Sequence, residues 1–212
     1  MNIKDCTRGL AVLLTLMCLG GCAFGVAKVQ VRHTPLEPPA VKRSGTVVVR
    51  QFVDSREEDH QYIGNKRNGL GMAVGSVAIH DGTPVDELVT ELFDEALKNV
   101  GYDTVLQESV NGVVPTGPAS AAILHGDIKH FWLDLYVAVW HNVDVDLKLT
   151  DRSDSRVLWE KKIHGGKSNV LWLGIDSEFE HVVRQGVDEA LTNACAEFAS
   201  EEFSEAVKTG RN

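Results

Sequence analysis

AILHGDIKHFWLDLYVAVWHNVDVDLKL, residues 122–149, is strand-like from end to end. Phe131, Leu133, Leu135, Val137 and Val139 alternate with other residues, and Val143, Val145, Leu147 and Leu149 resume the alternation. A period of two belongs to strands with one buried face and one wet face. The run is too long for a single strand, so the spacing predicts a hairpin turn within Tyr136–Asn142, although no Asn-Gly or Asp-Gly pair marks it. Asp151–Arg156 reads as a turn and Val157–His164 as the third strand of a meander, with the apolar run Val170–Leu173 after Gly165-Gly166.

Working outward, Thr46–Val53 (TVVVRQFV) is a β-branched run and reads as a buried strand. Glu57–Ala78 is polar and then glycine-rich, which predicts a long loop with a short strand at Val77–Ile79. Thr83 and Pro84 predict the N-cap and first residue of a helix with Asp86 and Glu87 in its first turn. Its apolar stripe is Val85, Leu88, Val89, Leu92, Phe93, Ala96, Leu97 and Val100, and Gly101 ends it. Tyr102–Leu106 returns as a strand, and Gly112–Ser120 reads as a loop. Near the C-terminus, Ser177 and Glu180 have the spacing of a capping box. Phe179, Val182, Val183, Val187, Ala190, Leu191, Ala194 and Phe198 then hold the helical period, and a further turn near Glu201–Lys208 is expected to fray. The expected fold is α+β: a two-layer sandwich in which two amphipathic helices cover one face of a mixed or antiparallel sheet of about five strands.

The N-terminus has a different character. Met1–Gly9 is polar with Lys4 and Arg8, and Leu10–Leu19 (LAVLLTLMCL) is almost unbroken apolar sequence. Ten helical residues span about 15 Å, half of a hydrocarbon core of about 30 Å. The stretch therefore suits the apolar region of a secretory signal better than a spanning helix. Leu19-Gly20-Gly21-Cys22 follows, and it resembles the lipobox of bacterial lipoproteins. That resemblance implies cleavage before Cys22, acylation of its thiol and amino group, and anchorage through Cys22 in a lipid bilayer. With Ala23 in place of aspartate after the cysteine, it also implies the periplasmic leaflet of the outer membrane.

Three segments result: a signal peptide at 1–21, a lipidated tether at 22–45 and a single α+β domain at 46–212. The tether carries a net charge of +3 between Ala23 and Gly45, and its Pro35, Pro38 and Pro39 predict an extended course rather than a packed one, with Val29–Val31 as a candidate edge strand. From Thr46 onward, 15 basic residues face 28 acidic ones, a net of −13. An acidic body argues against nucleic acid as a partner. Once the signal is gone and Cys22 is acylated, Cys195 is the remaining thiol, so no internal disulfide is expected. Its place beside an apolar helical stripe predicts an inert thiol.

The body also resembles the YajG-type family of small outer-membrane lipoproteins. The residues that carry this are Phe52-Val53-Asp54-Ser55-Arg56, Ile63-Gly64, Gly101-Tyr102 after the first helix, and Leu124-His125-Gly126-Asp127-Ile128 at the head of the meander. The resemblance implies location and fold, without a defined biochemical role.

The motifs of common catalysts are missing. Gly75-Ser76 lacks the second glycine of a nucleophile elbow, Gly69 is followed by Leu70 where a phosphate loop needs lysine, and no H-E-x-x-H occurs. No catalytic residue, cofactor or metal is expected. His125, Asp127 and His130 come nearest to a metal set, but a regular strand turns His130 away from the other two unless a bulge intervenes. Asp134, Asp144 and Asp146 read as the solvated side of the apolar alternation. If the odd-numbered residues face the helices, Trp132, Tyr136 and Trp140 fall together on the opposite face, a composition that suits a partner surface. The alternatives are that the hairpin turn separates them or that residues 23–45 cover them. The function expected is a lipid-anchored, non-enzymatic periplasmic binding module with an envelope protein as partner. Two alternatives stand beside it: an accessory lipoprotein of an envelope transport, peptidoglycan-synthesis or secretion complex, and a hydrolase or metal-binding enzyme using the His125/Asp127 region.

Overall fold

A computed structural model of the chain describes residues 25–67, 70–107, 121–135, 138–170 and 176–210. In chain order the elements are β1 (Gly25–Val29), β2 (Thr46–Arg50), β3 (Val53–Asp54), β4 (Gly64–Arg67), β5 (Ala73–Ile79), α1 (Val85–Val100), β6 (Asp103–Gln107), β7 (Ala122–Leu135), β8 (Val139–Thr150), β9 (Val157–Asn169), α2 (Asp176–Phe198) and α3 (Glu201–Thr209).

These nine strands form one mixed sheet with β7 as its spine. One edge of β7 pairs antiparallel with β8, and β8 pairs antiparallel with β9. The other edge is divided among three short parallel strands: β2 opposite residues 122–124, β3 opposite Asp127 and Ile128, and β4 opposite residues 133–135. Beyond β2 lies β6, and beyond β4 lie β5 and then β1.

Among the described residues, the expectation of about five strands is therefore corrected to nine, and that of two helices to three, within the α+β class. The strands missed in the sequence, β4 (GNKR) among them, have little apolar alternation of their own. They form because the free edge of β7 offers unpaired backbone groups that must be satisfied. Gly64 shows the constraint at close range, since a Cβ there would meet the Leu133 carbonyl oxygen at 2.4 Å. The predicted loop over Glu57–Ala78 thus contains β4 and most of β5.

The meander matches the alternation. The hairpin turn lies between Leu135 and Val139, which face each other, within the expected Tyr136–Asn142 window. Residues 136 and 137 themselves lie outside the described set. The third strand runs on to Asn169, five residues beyond expectation.

All three helices lie on one face of the sheet: α2 on β8 and β9, α1 beside α2 and over β2 and β6, and α3 on β9. α1 buries Val85, Val89, Leu92, Phe93, Ala96, Leu97 and Val100 and ends at Gly101, whose φ of 112° is a left-handed cap suited to glycine. Its N-cap is Pro84, one residue later than expected, because the Asp81 carboxylate takes both the Thr83 N–H and its hydroxyl at 3.1 and 2.9 Å. The capping box is also corrected. Ser177 lies inside α2, and Glu180 instead accepts the Gln30 N–H at 2.9 Å. The terminal turn expected to fray is a formed helix, α3, whose Ser200 side chain accepts the Phe203 N–H.

Residues 25–45 are extended, as the prolines predict, but packed. β1 joins the sheet, and the stretch after it crosses the helices. The Thr34 N–H and hydroxyl both donate to Asp188 at 2.7 Å, and the Arg43 guanidinium caps the Ala199 carbonyl oxygen. Side chains on α2 and the carbonyls that end it hold this segment against the body.

The core between the layers includes Phe93, Phe131, Phe179, Phe198, Phe203, Leu124 and Leu133, each fully buried and each contributing about 1.5–3 kcal/mol by burial. Trp159 packs edge-on to Phe203, with ring centres 4.8 Å apart. Where α2 crosses β8 and β9, two glycines set the approach. A Cβ at Gly165 would meet the Ala190 nitrogen at 2.4 Å, and one at Gly186 would meet His141 Nδ1 at the same distance. His141 is fully buried, edge-on to Phe131, with no hydrogen-bond partner for either ring nitrogen among the described residues. Burial alone pushes its pKa down to about 3, so the ring is neutral.

Candidate functional site

The helix-free face of β7, β8 and β9 is built in five cross-strand rungs. His125, Lys148 and Glu160 form the first; Asp127, Asp146 and Lys162 the second; His130, Asp144 and His164 the third. Trp132, Asn142 and Gly166 form the fourth, and Asp134, Trp140 and Ser168 the fifth. Each of these residues alternates with buried ones such as Leu147, Val145 and Val143, so the pleat that makes the core also makes this face.

A bulge decides the membership of His130. Ile128 opposes Val145 and His130 opposes Asp144, which leaves Lys129 as the extra residue. The inward parity changes there from even (Ala122, Leu124, Ile128) to odd (Phe131, Leu133), and His130 joins His125 and Asp127 on one face.

Sharing a face does not bring the three into one site. His125 Nε2 lies 2.9 Å from Asp154 Oδ1 and 3.1 Å from the Thr150 hydroxyl. Asp127 pairs with Lys129, and His130 lies 3.5 Å from Glu58. Among the described residues, no three His, Cys, Asp or Glu side chains converge as a metal site would require. The His125 contacts also lack the geometry of a nucleophile, base and orienting acid, because Thr150 and Asp154 both approach the same ring nitrogen. Burial lowers the His125 pKa, against the pull of Asp154. For Asp127 burial works upward, but the hydrogen bonds from Lys129 and Ser55 hold its carboxyl below the usual range.

The acidic residues of the alternation are individually paired. Arg67 reaches Asp134 at 2.8 Å, His164 reaches Asp144 at 2.7 Å, and Lys162 lies 3.7 Å from Asp146. Pairs this exposed contribute about 0–1 kcal/mol each. A shallow concavity of about 630 Å³ lies over the first two rungs, lined by Val53, His125, Asp127, Asp146, Lys148 and Lys162. Glu160, Lys162 and His164 on the third meander strand complete this face and are not among the expected site residues, although their period of two is visible in the sequence.

The structure places Trp132 and Trp140 together on the open face, diagonal to one another, with Trp132 half-buried and Trp140 42% exposed. The turn does lie between them in sequence, but the hairpin returns them to neighbouring rungs. The Gln30, Thr34 and Arg43 contacts hold residues 30–43 on the helix side instead of over this face. Tyr136 and Cys22 lie outside the described residues.

The Phe52–Arg56 motif has a structural job. Arg56 has a fully buried side chain that grips Asp54 through two 2.7 Å contacts and also donates to the carbonyls of Tyr62 and Phe131. Burial pushes Asp54 upward, but the hydrogen bonds and charge of Arg56 outweigh it and hold the carboxyl below its usual value. This clamp ties the loop after β3 to β7 beside the bulge. Cys195 is half-buried, its Sγ 3.8 Å from the Ala96 oxygen, and burial raises its pKa, which suits an inert thiol.

No family model matches the chain. No curated protein matches it either. Solved structures do. Protein XCC0632 from Xanthomonas campestris, of family DUF330, aligns over 81% of this chain and 96% of its own, with a TM-score of 0.51 at 18% identity. A neuraminyllactose-binding hemagglutinin homolog from Helicobacter pylori aligns over 85% and 98%, with a TM-score of 0.50 at 10% identity. Lipoprotein GNA1162 from Neisseria meningitidis aligns over 66% and 94%, with a TM-score of 0.37 at 12% identity. The first two likenesses show a shared fold. Among the described residues, no helix is long and apolar enough to cross a membrane.

Proposed function

We propose that this chain is a lipid-anchored, non-enzymatic module of the bacterial envelope, held by an acylated Cys22 at the periplasmic leaflet of the outer membrane, that works by contact with a protein partner. The observation that carries this reading is the open face of β7–β9, where two tryptophans stand among paired charges and none of the described helices lies over them. Large amphipathic rings on a polar field are the composition of binding surfaces. The lipobox-like Leu19–Cys22 and the likeness of the body to YajG-type lipoproteins supply the location. The accessory-lipoprotein alternative is a narrower form of the same reading. The separate engagements of His125, Asp127 and His130 favour contact over the hydrolase or metal-enzyme alternative.

The test is in-cell crosslinking of the full chain, comparing the parent with a Trp132→Ser/Trp140→Ser variant at matched abundance. The expected result is that a specific crosslinked partner disappears while the variant stays folded and membrane-bound. An unchanged crosslinking pattern overturns the partner surface. A metal found at stoichiometric amount, or turnover of a hydrolase substrate by the full chain, overturns the non-enzymatic reading.

A further inference from the structure

The register places four separate pieces of chain at one end of the sheet. β7 and β4 run toward that end and finish at Leu135 and Arg67, while β8 and β5 leave it from Val139 and Ala73. β9 arrives there at Asn169, and β1, parallel to β5, starts there at Gly25. Along this end the strand order is β1, β5, β4, β7, β8, β9, a width of about 24 Å at ordinary strand spacing.

Half of the exposed large apolar side chains among the described residues, including the most exposed one, lie at the same end. Leu70 is 82% exposed, Val170 59%, Met72 56%, Val26 50% and Trp140 42%. The opposite end carries the polar Asp81–Thr83 and Asp151–Arg156 turns together with Val105, Leu106 and Val157, which are 37%, 47% and 45% exposed, less than Leu70, Met72 or Val170. Highly exposed apolar side chains spread along one end of a sheet suit contact with a broad apolar body.

Gly25 stands only three residues after Cys22, and three residues reach at most about 11 Å. An acyl group on Cys22 is thereby held at the end that carries Leu70, Met72 and Val170. We propose that this end is a membrane-docking surface: Leu70, Met72, Val26 and Val170 enter the interfacial layer of the bilayer, and the sheet stands on the membrane by its hairpin tips. The inference rests on the acylation of Cys22 proposed above. Trp140, at the corner between this end and the open face, sits at the depth favoured by interfacial tryptophan. The open face then points sideways from the membrane, accessible to a partner in the same envelope layer.

The test uses the full chain, purified with its acyl group and reconstituted into vesicles of phosphatidylethanolamine and phosphatidylglycerol. In a Cys195→Ala background, single variants Leu70→Cys, Val170→Cys and Arg152→Cys carry an environment-sensitive fluorophore, and nitroxide-bearing lipids serve as quencher. Labels at 70 and 170 are expected to be quenched at least about threefold more than the label at 152, as burial in the interface requires. Two sites guard against one variant failing to fold. Equal quenching at all three positions, or none, in a chain whose mass shows an acylated Cys22 overturns this inference alone. A blue shift at 70 without lipid quenching marks a protein occupant and also overturns it. A chain recovered with Cys22 bare overturns the acylation reading and this inference together.

Discussion

The two faces of β7, β8 and β9 arise from one alternation of residues, yet they obey different rules. On the helix side, Leu124, Phe131, Val143, Val145 and Leu149 are buried, and glycines at 165 and 186 let α2 lie directly on the strands. On the open side, the residues between them form exposed rungs whose charges pair across strands. Volume decides the first face, because a close-packed interior transmits any misfit. The second tolerates substitution because water fills whatever a side chain leaves. The same backbone thus carries a structural face and a face free to be shaped by a partner.

That contrast is easiest to break at Gly165. Gly165→Val places a branched side chain against the Ala190 nitrogen and the Gly186 oxygen, at 2.4 and 2.5 Å from the first added carbon. The expected loss is about 3 kcal/mol or more, read as a lower urea midpoint, since backbone on both sides leaves nothing to yield. An unchanged midpoint would mean that α2 is not seated as described.

The second effect is acid sensitivity from the same face. His141 has a folded pKa of about 3, below the ordinary histidine value. As pH falls, the unfolded chain takes up this proton first, so the contribution is complete above the ordinary value and is lost toward pH 3. At pH 5 the expected loss is about 2 kcal/mol, and His141→Leu should flatten that part of the stability–pH curve. Equal slopes in parent and variant would show that His141 is not buried neutral.

The smallest effect belongs to the open face. Trp132→Ser and Trp140→Ser are each expected to cost under about 1 kcal/mol in the same denaturation experiment, because neither ring is enclosed by the core. A loss as large as that of Gly165→Val would make these rings part of the fold and remove the distinction between the faces.

Much of this was legible in the sequence for a physical reason. Phe131–Val139 and Val143–Leu149 announce the meander because burial on one face imposes a period of two. Val85–Val100 and Phe179–Phe198 announce the helices because burial on one stripe imposes a period of 3.6. The open-face positions of Trp132 and Trp140 followed from the same parity. β4 stayed hidden, and the expected buried strand Thr46–Val53 divides into β2 and β3 with Val53 exposed, since the pairing of β3 and β4 depends on the edge of β7 and not on their own side chains. A bulge is the condition for His130 to share a face with His125 and Asp127, but its presence at Lys129 is decided by the pairing with β8. The packing of residues 30–45 is not legible in its own sequence because Asp188 and Glu180, which hold it, are about 150 residues away in the chain.

Local sequence determined the class of each long element, and the apolar Leu10–Leu19 with the lipobox-like Leu19–Cys22 carries the expectation of attachment to a membrane. Those are properties of a window of ten or twenty residues, where periodicity and hydropathy act directly. Only the tertiary structure decided which short segments become strands, and which end of the sheet carries Gly25 beside Leu70 and Met72. Such facts depend on register between distant segments, and register is settled by long-range pairing and packing that no single window contains.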